Sequence, residues 1–115
     1  MIVVGGELRR LSQTVVGPLT RSVLEELHVD RAFMGTMGFG LEGLTTTDVG
    51  EAFTKELVMR RAREVVLLAD SSKAGKILFA RAGRLEQVNM LITDRQLTAE
   101  WTRELTRRGV KVVKI

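Results

Sequence analysis

The run Val65-Val66-Leu67-Leu68-Ala69 restricts the fold more than any other stretch of this chain. An unbroken apolar run of this length suits a strand covered on both faces, the usual state of a central strand in a parallel sheet. Further predicted strands lie at residues 2–4, 32–34, 90–93 and 110–115, and amphipathic segments separate them. Strands that alternate with helices predict an α/β fold: a mostly parallel sheet with helices on both faces. The 115 residues suffice for one domain or part of one.

The intervening segments carry their own signals. Gly17-Pro18 opens a predicted helix of about ten residues, with Pro18 in its first turn and Val23, Leu24 and Leu27 as the buried stripe. Residues 35–50 hold five of the eleven glycines and the run Thr45-Thr46-Thr47, which reads as a loop. Asp48 caps the next helix, Glu51 completes a box-like start, and the helix continues to about Ala62. Residues 77–79 read as extended. A last helix covers 98–108, is closed by Gly109, and leads to a strand over 110–115.

Composition removes several classes of function. No apolar run approaches the ~20 residues that a membrane-spanning helix needs, and the N-terminus lacks the pattern of a secretory signal. The expected location is therefore the cytoplasm, with no membrane partner. With no cysteine and one histidine, His28, no thiolate or multi-histidine metal site is expected. The net charge of +4 comes from 18 basic and 14 acidic residues. Basic groups such as Arg60, Arg61 and Arg63 are interleaved with Glu56 and Glu64, as on a solvated helix face. Tyrosine is absent and no stacking platform is visible, so direct DNA binding by this segment is not expected.

Ligands of open parallel sheets sit beyond the carboxyl ends of the strands. Four predicted strand ends share a polar or glycine-rich character: Gly5-Gly6, Gly35-Thr36, Asp70-Ser71-Ser72-Lys73 and Thr93-Asp94. Glycines there expose backbone N–H groups, serines add hydroxyl donors and Lys73 adds charge, a combination suited to phosphate. Each motif also has a plainer reading as a tight turn or a cap. Glu51 and Lys55, four residues apart on one helix, form either a surface ion pair or a carboxylate and an ammonium facing the strand ends. The stretch from Gly35 to Gly40 spaces its glycines as GxxGxG rather than GxGxxG, so no dinucleotide cofactor is expected, nor any other.

Several segments, taken in order, resemble the C-terminal sensor domain of DeoR-family bacterial transcriptional regulators. They are Val4-Gly5-Gly6-Glu7-Leu8-Arg9, Val16-Gly17-Pro18, Asp30-Arg31-Ala32-Phe33-Met34-Gly35, Gly43-Leu44-Thr45-Thr46, Glu51-Ala52-Phe53-Thr54-Lys55, Leu68-Ala69-Asp70-Ser71-Ser72-Lys73 and Leu91-Ile92-Thr93-Asp94. The resemblance implies a fold similar to ribose-5-phosphate isomerases, glucosamine-6-phosphate deaminases and CoA transferases. It also implies a non-enzymatic module that binds a phosphorylated sugar or related metabolite and modulates a repressor. Carried over position by position, Gly5, Gly6 and Gly35 line the pocket, and Glu51, Lys55, Asp70, Ser72 and Lys73 supply polar contacts. Arg9 is a further candidate.

Two parts of the family pattern have no counterpart here: the DNA-binding helix-turn-helix, and a first strand–loop–helix with a Ser/Thr-Gly-Thr-Thr phosphate loop. Residues 1–115 are thus expected to be the C-terminal part of a sensor domain, reaching DNA only through the missing domain and working as a homo-oligomer. Two alternatives stand beside this reading. One is a sugar-phosphate isomerase or deaminase with Glu51 or Asp70 as base and Lys55 or Lys73 stabilising an enediolate. The other is a module for oligomerisation alone.

Overall fold

The computed structural model describes all 115 residues. In chain order the elements are β1 (Glu7–Arg9), β2 (Thr14–Val16), α1 (Arg21–Leu24), β3 (Val29–Met34), β4 (Gly38–Gly40) and β5 (Gly43–Thr46). They continue with α2 (Val49–Arg61), β6 (Ala62–Leu68), β7 (Ala80–Arg81), β8 (Met90–Thr93), α3 (Ala99–Arg107) and β9 (Lys111–Lys114).

Strands β3, β6, β8 and β9 form one parallel sheet in that spatial order, with Met34 opposite Leu67, Leu67 opposite Leu91 and Leu91 opposite Val112. Chain order equals spatial order, so every crossover steps in the same direction. Right-handed crossovers then all fall on one face of the sheet. The core agrees: Ala32, Met34, Val65, Leu67 and Leu91 join Ala52 and Met59 of α2 and Leu105 of α3 in a single cluster. Leu67, Leu91 and Leu105 are each 1% exposed, and burying such a side chain stabilises by about 1.5–3 kcal/mol.

The α/β class and the parallel sheet match the sequence reading. The helices expected on both faces instead lie on one. On the other face Phe33 is 63% and Leu68 46% exposed, while Met90, Ile92 and Val113 are half-buried. Val66 is buried there between its register partners Phe33 and Met90.

Local readings are corrected in four places. Residues 2–4 form no strand; Ile2 and Val3 are exposed, and the first strand, β1, follows the Gly5-Gly6 pair and makes a hairpin with β2. The helix expected from Pro18 is a 3-10 turn, Pro18–Thr20, followed by the single turn α1, with Leu24 buried and Val23 exposed. Residues 77–79 are irregular, with Ile77 and Phe79 exposed. Residues 35–50 are not a loop throughout, because β4 and β5 pair antiparallel and β7 adds a third strand.

Glycine makes that small sheet possible. Gly43 sits at φ +130°, and a Cβ there would lie 1.9 Å from the carbonyl oxygen of Gly83. Phe39 of β4 is fully buried and meets Trp101 of α3 edge-to-face, with centroids 6.2 Å apart. Trp101 thereby anchors the last helix against the small sheet.

Candidate functional site

Three of the four expected strand-end motifs follow β3, β6 and β8, and parallel strands bring their carboxyl ends to one edge. Two polar clusters form there.

The first is built around Glu51. Asp48 caps α2, its Oδ2 accepting from the Glu51 N–H at 2.8 Å. The Glu51 side chain does not fold back on the cap. Its Oε2 instead accepts from Arg9 Nη1 at 2.9 Å and from the Thr46 hydroxyl at 3.5 Å. Arg9 also donates to Thr47 Oγ1 at 3.3 Å and lies 3.7 Å from Asp48. The Glu51 side chain is only 9% exposed, so its carboxylate faces a guanidinium rather than water. Lys55 forms no ion pair with Glu51; its Nζ donates to the Gly35 carbonyl at 2.8 Å, tying α2 to the end of β3. Burial pushes the Lys55 ammonium below the ordinary lysine range, and Glu51 partly offsets this.

The second cluster is the turn Asp70–Lys73 with Asp94. Ser72 donates through both its N–H and its hydroxyl to Asp70 Oδ1. Ser71 does the same to Asp94 Oδ2, at 2.9 and 3.1 Å. Both carboxyls consequently lie below their ordinary range, Asp70 chiefly through the Ser72 hydroxyl and Asp94 chiefly through the Ser71 N–H. This overturns the expectation that Ser71 and Ser72 offer hydroxyl donors to an anion, since those protons are already committed. The turn faces outward with carboxylate oxygens and hydroxyl lone pairs. Beside them Lys73 makes no ion pair.

The glycines separate. Gly35 joins the first cluster through its carbonyl. Gly6 is a packing residue: a Cβ there would come within 2.7 Å of both Thr20 Cγ2 and Val15 Cγ1. Gly5 has open space around it and follows no strand. The sequence reading missed Thr47 and Asp48 as partners of Arg9 and Thr46 as a partner of Glu51, although it had singled out the threonine run. Ser71 and Asp94 stood in the strand-end motifs but not among the residues carried over as ligand contacts.

Between α2, β2 and Met34 lies a cavity of about 150 Å³ that includes Glu51 and Lys55 in its lining. A wider depression of about 410 Å³ between Leu41, Glu100, Trp101 and Glu104 presents two carboxylates and no cation, so it does not suit an anionic ligand. No group of three or more His, Cys, Asp or Glu side chains is placed to hold a metal ion.

The family model of the DeoR C terminal sensor domain matches residues 1–95, which include both clusters. The chain belongs to this family. The HTH-type transcriptional regulator GlpR of Haloferax volcanii is 42% identical over 110 residues, 95% of this chain and 43% of that protein. The lactose phosphotransferase system repressor of Streptococcus mutans is 39% identical over 92 residues, 80% of this chain and 37% of the repressor. The HTH-type transcriptional repressor GlcR of Bacillus subtilis is 30% identical over 109 residues, 95% of this chain and 42% of the repressor. The chain spans less than half the length of these curated relatives. All are regulators by name, not enzymes, and this DeoR-type domain is an effector-sensing regulatory domain. No helix is long and apolar enough to cross a membrane.

Proposed function

We propose that this domain binds a phosphorylated sugar or related metabolite at the carboxyl-end edge of β3, β6 and β8. The observation that carries the reading is the arrangement around Asp70 and Asp94. With the serine protons committed to them, the exposed oxygens accept hydrogen bonds from sugar hydroxyls, and the unpaired Lys73 supplies a cation for the phosphate. Arg9, Glu51, Lys55 and Gly35 form the adjoining wall. In the longer proteins to which such a domain belongs, ligand binding would bias two arrangements of a homo-oligomer and so alter DNA binding by a region outside these residues.

A thermal-shift panel of sugar phosphates, the corresponding free sugars and inorganic phosphate tests this on the wild type and on Lys73→Ala. Ligand at ~100 times Kd stabilises by about 2.7 kcal/mol, a rise of several degrees in Tm for a domain of this size. A rise confined to sugar phosphates and lost in Lys73→Ala is the expected result. A panel without any shift refutes the site.

A further inference from the structure

Lys55 combines three properties that binding alone does not require. Its Nζ is held at one place, 2.8 Å from the Gly35 carbonyl, at the carboxyl end of β3. It lines the cavity of about 150 Å³, whose apolar wall comes from Val15, Val16, Met34 and Val58. The cavity has one carboxylate, Glu51, whose Oε2 takes Arg9 and Thr46 while Oε1 has no protein partner. A lysine held in a partly apolar cavity beside a proton acceptor is the environment in which amines become nucleophiles toward carbonyl compounds.

We propose that Lys55 condenses reversibly with the aldehyde of a small open-chain aldose phosphate, so that the domain holds such a ligand as an imine. This rests on the ligand class proposed above and adds a covalent step to it. The ammonium first gives up a proton to Glu51 Oε1 or to solvent. The nitrogen lone pair then attacks the aldehyde carbon, forming the C–N bond and a carbinolamine. The carbinolamine loses its hydroxyl and the remaining amine proton as water, leaving C=N. Amine and aldehyde give imine and water, with no oxidant or reductant. Desolvation of Lys55 favours the free amine that starts the sequence. Lys76, Lys111 and Lys114, by contrast, are solvent-exposed.

The test treats the full chain with glyceraldehyde 3-phosphate and cyanoborohydride, which fixes an imine as a secondary amine, and maps the adduct by peptide mass spectrometry. Glycerol 3-phosphate, which has no carbonyl, runs in parallel as a thermal-shift ligand. The expected result is labelling of Lys55 several-fold faster than of any other lysine, slower labelling in Glu51→Gln, and loss of the preference in urea. Lys55→Arg keeps a cation for the Gly35 carbonyl and should melt like the wild type without forming the major adduct. Labelling spread evenly over Lys55, Lys73, Lys76, Lys111 and Lys114 overturns the imine. If glycerol 3-phosphate still stabilises the chain in that case, the sensor reading survives alone; if neither phosphate stabilises it, both readings fall.

Discussion

The most buried ion pair in the molecule joins Arg9 and Glu51, residues 42 positions apart in the chain. Removing Arg9 strands a carboxylate that is 91% shielded from water. Arg9→Ala should therefore cost about 2–3 kcal/mol in urea unfolding, and adding Glu51→Gln should recover most of it, because the uncompensated charge is gone. Asp70 and Asp94 make a different contribution, set by pH. The serines hold both carboxyls below the ordinary value of 3.8, so the native state favours their ionised forms. Their stabilisation is complete above that value and is lost as pH falls through the lowered native pKa values. Melting curves between roughly pH 5 and 2 should fall more gently for Asp70→Asn with Asp94→Asn than for the wild type.

Among the elements, those with strong local signals were legible in the sequence. Asp48 caps α2 as the spacing implied, and Thr98, read as the first residue of the last helix, caps α3, each accepting from the N–H three residues on. Gly109 follows α3 with a φ of +92°. The four parallel strands are those predicted at 32–34, 65–69, 90–93 and 110–115, allowing for up to three residues at an end. The hairpins were not legible. β1, β2, β4 and β5 are only three or four residues long, mix polar with apolar positions, and owe their pairing to contacts made elsewhere in the fold. Gly6 read as a ligand-facing turn because a glycine kept for close packing and one kept for a ligand look alike in sequence. The same limit hid the hydroxyl bookkeeping at Ser71 and Ser72, since the partner of Ser71 lies 23 residues away. Gly43 offers a direct test of the β4–β5 hairpin. Gly43→Ala must accommodate both a left-handed backbone and a Cβ pressed into the Gly83 carbonyl, so a loss of about 3 kcal/mol or more is expected in denaturant unfolding.

At the scale of the whole molecule, these 115 residues leave one face of the parallel sheet uncovered. Phe33 and Leu68 stand on it without a layer above them, although parallel sheets are otherwise buried on both sides. Replacing both with threonine should lower binding of the apolar dye 8-anilinonaphthalene sulfonate while leaving Tm within a few degrees, because neither side chain belongs to the main core. Unchanged dye binding would mean that the face is already covered in solution. The direct passage of α2 into β6, from Arg61 to Ala62 without an intervening residue, has a mechanical consequence. α2 is a rod of about 20 Å, with Glu51 and Lys55 toward one end and, at the other, Arg61 gripping the Leu27 carbonyl and the His28 ring. A joint with no slack leaves little room to absorb travel, so a displacement of the Glu51 end along that rod would be passed on to the opposite rim of the sheet.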